Sequence, residues 1–161
     1  MEIHLEIFFA RITGGEIIYI KKVVDISTEE SNPDNIVQRA LNYNPIPGIS
    51  DISELLIHST SWRYENSGRL VLTYLVYSEK LNVTQANIEI IPLENLKVAL
   101  SGNSKTPRPV IIEEKDIISH GFRHLGFLVK NDPVIRQAFS ANLTSLKALE
   151  DLPGAVAGLV S

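Results

Sequence analysis

The chain opens on a regular alternation. Between residues 2 and 12, Ile3, Leu5, Ile7 and Phe9 fall on one side and His4, Glu6, Phe8 and Ala10 on the other, which predicts a strand. Thr13-Gly14-Gly15 predicts a turn, because paired glycines admit the positive φ of a hairpin loop. Glu16 to Val24, rich in Ile, Val and Tyr, predicts the returning strand. A polar, acidic stretch from Asp25 to Ser31 then ends in a helix-start signal: Asn32 as cap, Pro33 at the first helical position and Asp34 near the positive end of the helix dipole. Ile36, Val37, Ala40 and Leu41 recur at helical spacing. Asn44-Pro45 stops this helix, and Pro45-Ile46-Pro47-Gly48 bars its continuation.

The second hairpin spans Glu54 to Glu79, with Asn66-Ser67-Gly68 as a three-residue loop. That loop pairs Glu65 with Arg69, Trp62 with Leu72 and Thr60 with Tyr74. One face then carries His58, Thr60, Trp62, Tyr64, Leu70, Leu72, Tyr74 and Val76, and is expected to join the core. The other carries Ser59, Ser61, Arg63, Val71, Thr73 and Leu75. A short fifth strand follows at Asn87 to Ile91, then a helical turn from Pro92 through Leu93, Leu96 and Leu100. Ser101 to Pro109 is a polar, proline-punctuated loop. Beyond it the strand signal ends. Glu113 to Lys130 predicts a helix in which Gly121 and Gly126, each costing about 1 kcal/mol relative to Ala, are candidate breaks. Asp132-Pro133 starts another helix through Phe139, and Asn142 caps a last one through Leu149.

This order predicts a single α+β domain over residues 1–161: a sheet-forming part (1–100), a loop (101–109) and a helical part (110–161). Two hairpins and a fifth strand form a mixed or antiparallel sheet, one short helix lies between the hairpins, and the C-terminal third is helical. The length of 161 residues suits one core.

Composition narrows the function classes. With no cysteine, disulfides, thiolate metal sites and cysteine nucleophiles are excluded. A net charge of −4 and a single adjacent basic pair, Lys21-Lys22, argue against nucleic acid as a partner. The start has no signal-peptide pattern, and the most apolar run, Leu70 to Tyr77, is far shorter than the roughly 20 residues needed to span a bilayer. The expectation is a cytoplasmic protein without a membrane partner. Asn82-Val83-Thr84 and Asn142-Leu143-Thr144 are then chance matches to the glycosylation pattern.

Two constellations carry candidate chemistry. Asp116, His120 and His124 lie on successive turns of one side of the long predicted helix, and a carboxylate with two imidazoles is a ligand set for a divalent metal. Gly121 follows His120 where a metalloprotease helix would carry its glutamate. Solvated-edge residues of an amphipathic helix would show the same pattern. The second constellation is Ser59, Ser61, Arg63 and Thr73, three hydroxyls beside a guanidinium able to grip a phosphate or carboxylate. A solvent-facing strand uses the same residue types. His58 is expected to be half-buried and bonded to a backbone carbonyl rather than to act as a base. There is no nucleophile elbow, phosphate-binding glycine loop or calcium loop.

The succession of hairpin, short helix after an acidic loop, and long hairpin, from about Ile3 to Glu79, resembles the Nudix fold. The likeness is closest where Gln38-Arg39-Ala40-Leu41-Asn42-Tyr43-Asn44 precedes Gly48 and the strand from Glu54. In that family the helix bears glutamates that hold magnesium against a diphosphate. Arg39 matches the arginine position and Leu41 the apolar slot. Ala40, Asn42, Tyr43 and Asn44 stand where the glutamates would be, so no catalytic residue carries over, since hard cations need anionic oxygen ligands.

The sequence therefore points to a non-catalytic domain that binds a small anionic ligand or a protein partner through Ser59, Ser61, Arg63 and Thr73, with no cofactor. The alternative is a metal-dependent hydrolase using Asp116, His120 and His124, the one reading that needs a divalent metal. A homodimer packed through the apolar tail Ala155 to Val160 is a third expectation.

Overall fold

The first hairpin forms where the alternation puts it. The computed structural model describes residues 2–26, 32–43, 48–49, 56–82, 87–96, 99, 101–105 and 109–152. In it β1 runs Glu2–Thr13 and β2 Glu16–Asp25. Between them Gly14 and Gly15 take φ of 57° and 81°. The second hairpin pairs β3 (Leu56–Tyr64) with β4 (Arg69–Tyr77), and β5 (Glu89–Pro92) completes a five-stranded sheet of order β3-β4-β1-β2-β5. β1 runs parallel to β4, from Glu2 beside Arg69 to Ala10 beside Tyr77, while β3 and β4 are antiparallel. The sheet is thus mixed, and the α+β class expected from the sequence is the class observed.

The chain divides into two compact units, Met1–Arg11 with Ile17–Ile90, and Ile12–Glu16 with Ile91–Ser161. In the first, α1 (Pro33–Tyr43) lays its stripe of Ile36, Val37, Ala40 and Leu41 on one face of the sheet. There it meets Leu5, Ile7 and Phe9 of β1, Ile18 and Ile20 of β2, and Tyr74 and Val76 of β4. These side chains are the ones the period-2 and period-3.6 patterns set facing each other. Gly48, after the helix, has a φ of 89°, and a Cβ there would stand 2.0 Å from the carbonyl oxygen of Lys80. Chain approach that close excludes every other residue.

The register of the second hairpin departs from expectation. Near the turn it holds: the Glu65 N–H donates to the Arg69 carbonyl at 2.9 Å, Gly68 takes φ 85°, and Trp62 lies beside Leu72. Between Ser59 and Ser61 the ladder shifts by one residue, so Ser59, not Thr60, lies beside Tyr74. Thr60 is the extra residue of a β-bulge, and a one-residue slip exchanges the faces of everything before it. His58 therefore joins Leu75, and Ser59 moves to the α1 face. The Thr60 hydroxyl is buried and donates to the Thr73 carbonyl at 3.3 Å, which pins the bulge.

A second departure concerns the face expected to be core. Its aromatic members at the turn end, Trp62 and Tyr64, are 66% and 52% exposed. The core on that face centres on Ile57, Tyr74 and Val76, at the opposite end of the hairpin. Residues on an end strand near a turn have neighbours on fewer sides.

In the second unit a single 3-10 turn, Leu93–Asn95, stands where a longer helical turn was expected, because Leu96 is already extended. The Leu93 N–H donates to the Gly15 carbonyl at 3.0 Å. α2 (Glu114–Asn131), α3 (Pro133–Ala138) and α4 (Leu143–Glu150) follow. α2 passes through Gly121 and Gly126 unbroken. The reason at Gly126 is packing: a Cβ there would lie 2.7 Å from the Leu149 carbonyl oxygen, so the glycine lets α4 approach α2. Ile118, Phe122, Leu125 and Val129 of α2 and Leu146 and Leu149 of α4 form buried stripes, and Phe139, just past α3, is buried too. Asp132 caps α3 by accepting from the Val134 N–H at 2.9 Å, and Asn142 caps α4 by accepting from the Ser145 N–H at 3.1 Å. Arg123 on α2 is buried and donates to the Leu96 carbonyl at 3.2 Å. No helix among the described residues is long and apolar enough to cross a membrane.

Candidate functional site

β3, β4, β1 and β2 are successive neighbours in the sheet, and on the face away from α1 they carry one polar cluster. Thr73 lies beside Glu6 in the parallel register, Ser61 lies beside Thr73 in the antiparallel one, and Arg63 and Lys21 reach in from either side. Glu6 is 2% exposed. A carboxylate withdrawn from water to that degree needs compensating charge and hydrogen bonds. It has both. The Arg63 fork donates from Nη1 to Oε2 at 2.6 Å and from Nη2 to Oε1 at 3.2 Å. Thr73 Oγ1 donates to Oε2 at 3.2 Å, and Lys21 Nζ stands 3.4 Å from Oε1.

Arg63 is held twice, since Nη2 also donates to Glu65 Oε1 at 3.2 Å. Burial works against its charge, but the hydrogen bonds and negative charge of Glu6, and then of Glu65, outweigh that and lift the guanidinium above the ordinary arginine range. Two cations, Arg63 and Lys21, face two carboxylates, Glu6 and Glu65, so the cluster is locally neutral. Both terminal nitrogens of the guanidinium, the fork a phosphate or carboxylate ligand would use, already donate to carboxylates of the chain itself.

Of the candidate binding residues, Ser61, Arg63 and Thr73 share this face, and the bulge removes Ser59 to the other one, where it is exposed. His58 faces the same side as Leu75 and is half-buried, and burial pushes its imidazole below the ordinary histidine range. Glu6 and Lys21 escaped sequence reasoning. The one available signal was an acid set between Leu5 and Ile7 in mid-strand. Nothing local told that β1 lies beside β4 and so within reach of Arg63.

The other constellation comes together only in part. Asp116 accepts from the Glu113 N–H at 2.9 Å and, with the Glu113 side chain, closes a capping box at the start of α2. His120 and His124 do neighbour each other, with ring centroids 6.2 Å apart and planes inclined by 30°. Among the described residues no group of three His, Asp or Glu side chains is gathered as a metal site. On α1, Ala40 and Leu41 are buried and Arg39 is exposed. Asn44, which closes the segment compared with the Nudix helix, and the tail Ala155 to Val160 lie outside the described residues.

The last element of the site is the strand end beside the cluster. Trp62 and Tyr64 alternate with Arg63 on β3, project to the opposite face from it, and are both exposed. Among the described residues β3 is paired along one edge, with β4. Compared with known proteins, the chain matches no family model and no curated sequence.

Proposed function

We propose that this chain is a non-catalytic binding domain whose ligand is a protein partner, received as an extended segment along β3. The observation that carries the reading is the pair of exposed aromatic rings, Trp62 and Tyr64, on an end strand of the sheet. Both rings keep more than half of their residue's surface open, on side chains with little rotamer entropy to lose, and such residues dominate interface energetics. Among the described residues β3 ends the sheet, and an end strand is where a partner strand can add through backbone donors and acceptors. The bulge at Thr60 interrupts that edge, so the regular stretch Ser61 to Tyr64 is the pairing segment.

Arg63 supports the same choice. A small anion would have to compete with Glu6 and Glu65 for a guanidinium they already hold, which favours the protein partner over the anionic ligand. A Nudix-like scaffold fits this reading as well, because Ala40, Leu41, Asn42 and Tyr43 contribute no carboxylate to α1.

Selection of random peptides against the immobilised chain tests it. Selected peptides are expected to lose at least tenfold in affinity on Trp62→Ala or Tyr64→Ala, and to protect the backbone amides of Ser61 to Tyr64 from exchange. The reading fails if no selected peptide depends on Trp62. It fails equally if phosphate, citrate or a nucleotide raises the melting temperature of the wild type but not of Arg63→Met, for then the anionic ligand is the right choice.

A further inference from the structure

We propose that His120 and His124 of α2 form a two-ligand site for a borderline divalent transition-metal ion of the zinc, nickel and copper class, with Asp116 outside the coordination sphere. Residues four apart on a helix stand one above the other, with Cβ atoms about 5–6 Å apart. Here the two imidazoles keep that adjacency out to their rings, whose centroids are 6.2 Å apart. A ligating imidazole nitrogen lies about 2.1 Å from the ion and about 1.1 Å from its own ring centre, so two rings sharing one ion stand at most about 6.4 Å apart. The observed separation falls inside that limit. A tetrahedral angle at the ion corresponds to roughly 5.2 Å, so binding draws the two rings together by about 1 Å.

The remaining chemistry selects the ion. Two imidazole nitrogen donors suit zinc, nickel and copper and do not suit magnesium or calcium, which require oxygen ligands. Both histidines are half-buried on a continuous, capped helix, so less freedom is lost when an ion fixes them. Asp116, one turn earlier, is engaged by the Glu113 N–H at 2.9 Å, and moving it to the ion would open the capping box. Water or an external donor fills the remaining positions.

The test titrates the untagged full chain with Ni²⁺ and with Zn²⁺ by calorimetry. One ion per chain is expected, and His120→Gln and His124→Gln should each weaken binding at least tenfold, while Asp116→Asn, which keeps an acceptor oxygen for the cap, binds as the wild type does. The chain has four histidines, so a second measurement needs no variant. Substoichiometric Ni²⁺ should broaden the ring resonances of His120 and His124 together, before those of His4 and His58. Affinity unchanged in either histidine variant, affinity lost equally in Asp116→Asn, or earlier broadening at His4 or His58 would each overturn the proposal.

Discussion

Arg63 reaches past the neighbouring strand β4 to close both arms of its guanidinium on Glu6, at 2.6 and 3.2 Å, joining strands that share no backbone hydrogen bond. Their side chains are 20% and 3% exposed, so this is an ion pair largely withdrawn from solvent. Pairs of this kind return little net stability when intact, because the Coulombic gain offsets a desolvation cost of similar size. They matter when broken.

Removal of one partner is therefore expected to cost up to about 3–5 kcal/mol, since the charge left behind keeps only its second partner, Lys21 for Glu6 or Glu65 for Arg63. Glu6→Leu and Arg63→Met should each lower the urea midpoint strongly, whereas the double variant Glu6→Leu/Arg63→Met should be more stable than either. Equilibrium denaturation of the four proteins measures the coupling. Strictly additive losses would show that the two side chains do not act as a unit.

Gly126→Ala sets helix propensity against packing. Alanine favours the helix by about 1 kcal/mol. Its Cβ, however, would lie 2.7 Å from the Leu149 carbonyl oxygen, a backbone atom of α4 that cannot swing aside. Overpacking of this sort costs about 1–3 kcal/mol, so the net expectation is a loss of up to about 2 kcal/mol and a lower melting temperature. A rise in melting temperature would contradict the close approach of the two helices.

His58 gives the fold an acid-sensitive term. Burial lowers its pKa in the folded state, so the unfolded chain binds a proton more readily. Above the ordinary histidine value of about 6.5 both states are neutral there and stability is unaffected. As pH falls through that value toward the lower folded-state pKa, the unfolded state gains the proton first and stability declines, until both states are charged. The urea midpoint of the wild type should fall between about pH 7.5 and 5.5, and His58→Gln should flatten that part of the curve. An equally steep profile in the variant would assign the sensitivity to other groups.

Local patterns carried much of the architecture. The strands from Glu2 and Glu16, the stripe on α1 and the caps Asp132 and Asn142 depend on period, turn chemistry and capping, all of which act within a few residues. The length of α2 was harder to read, because Gly126 looks like a break until Leu149 is seen against it.

Alternation, turn glycines and caps thus told which segments would become strands or helices, because a side chain's direction follows from its own backbone. Which strands became neighbours, and which side chains met across them, was decided only by the folded sheet. Parallel pairing of β1 with β4 brought Glu6 within reach of Arg63, 57 positions away, and the bulge at Thr60 moved Ser59 off that face. Both are matters of register, and register is chosen by the packing of the whole sheet face, which no local stretch of residues contains.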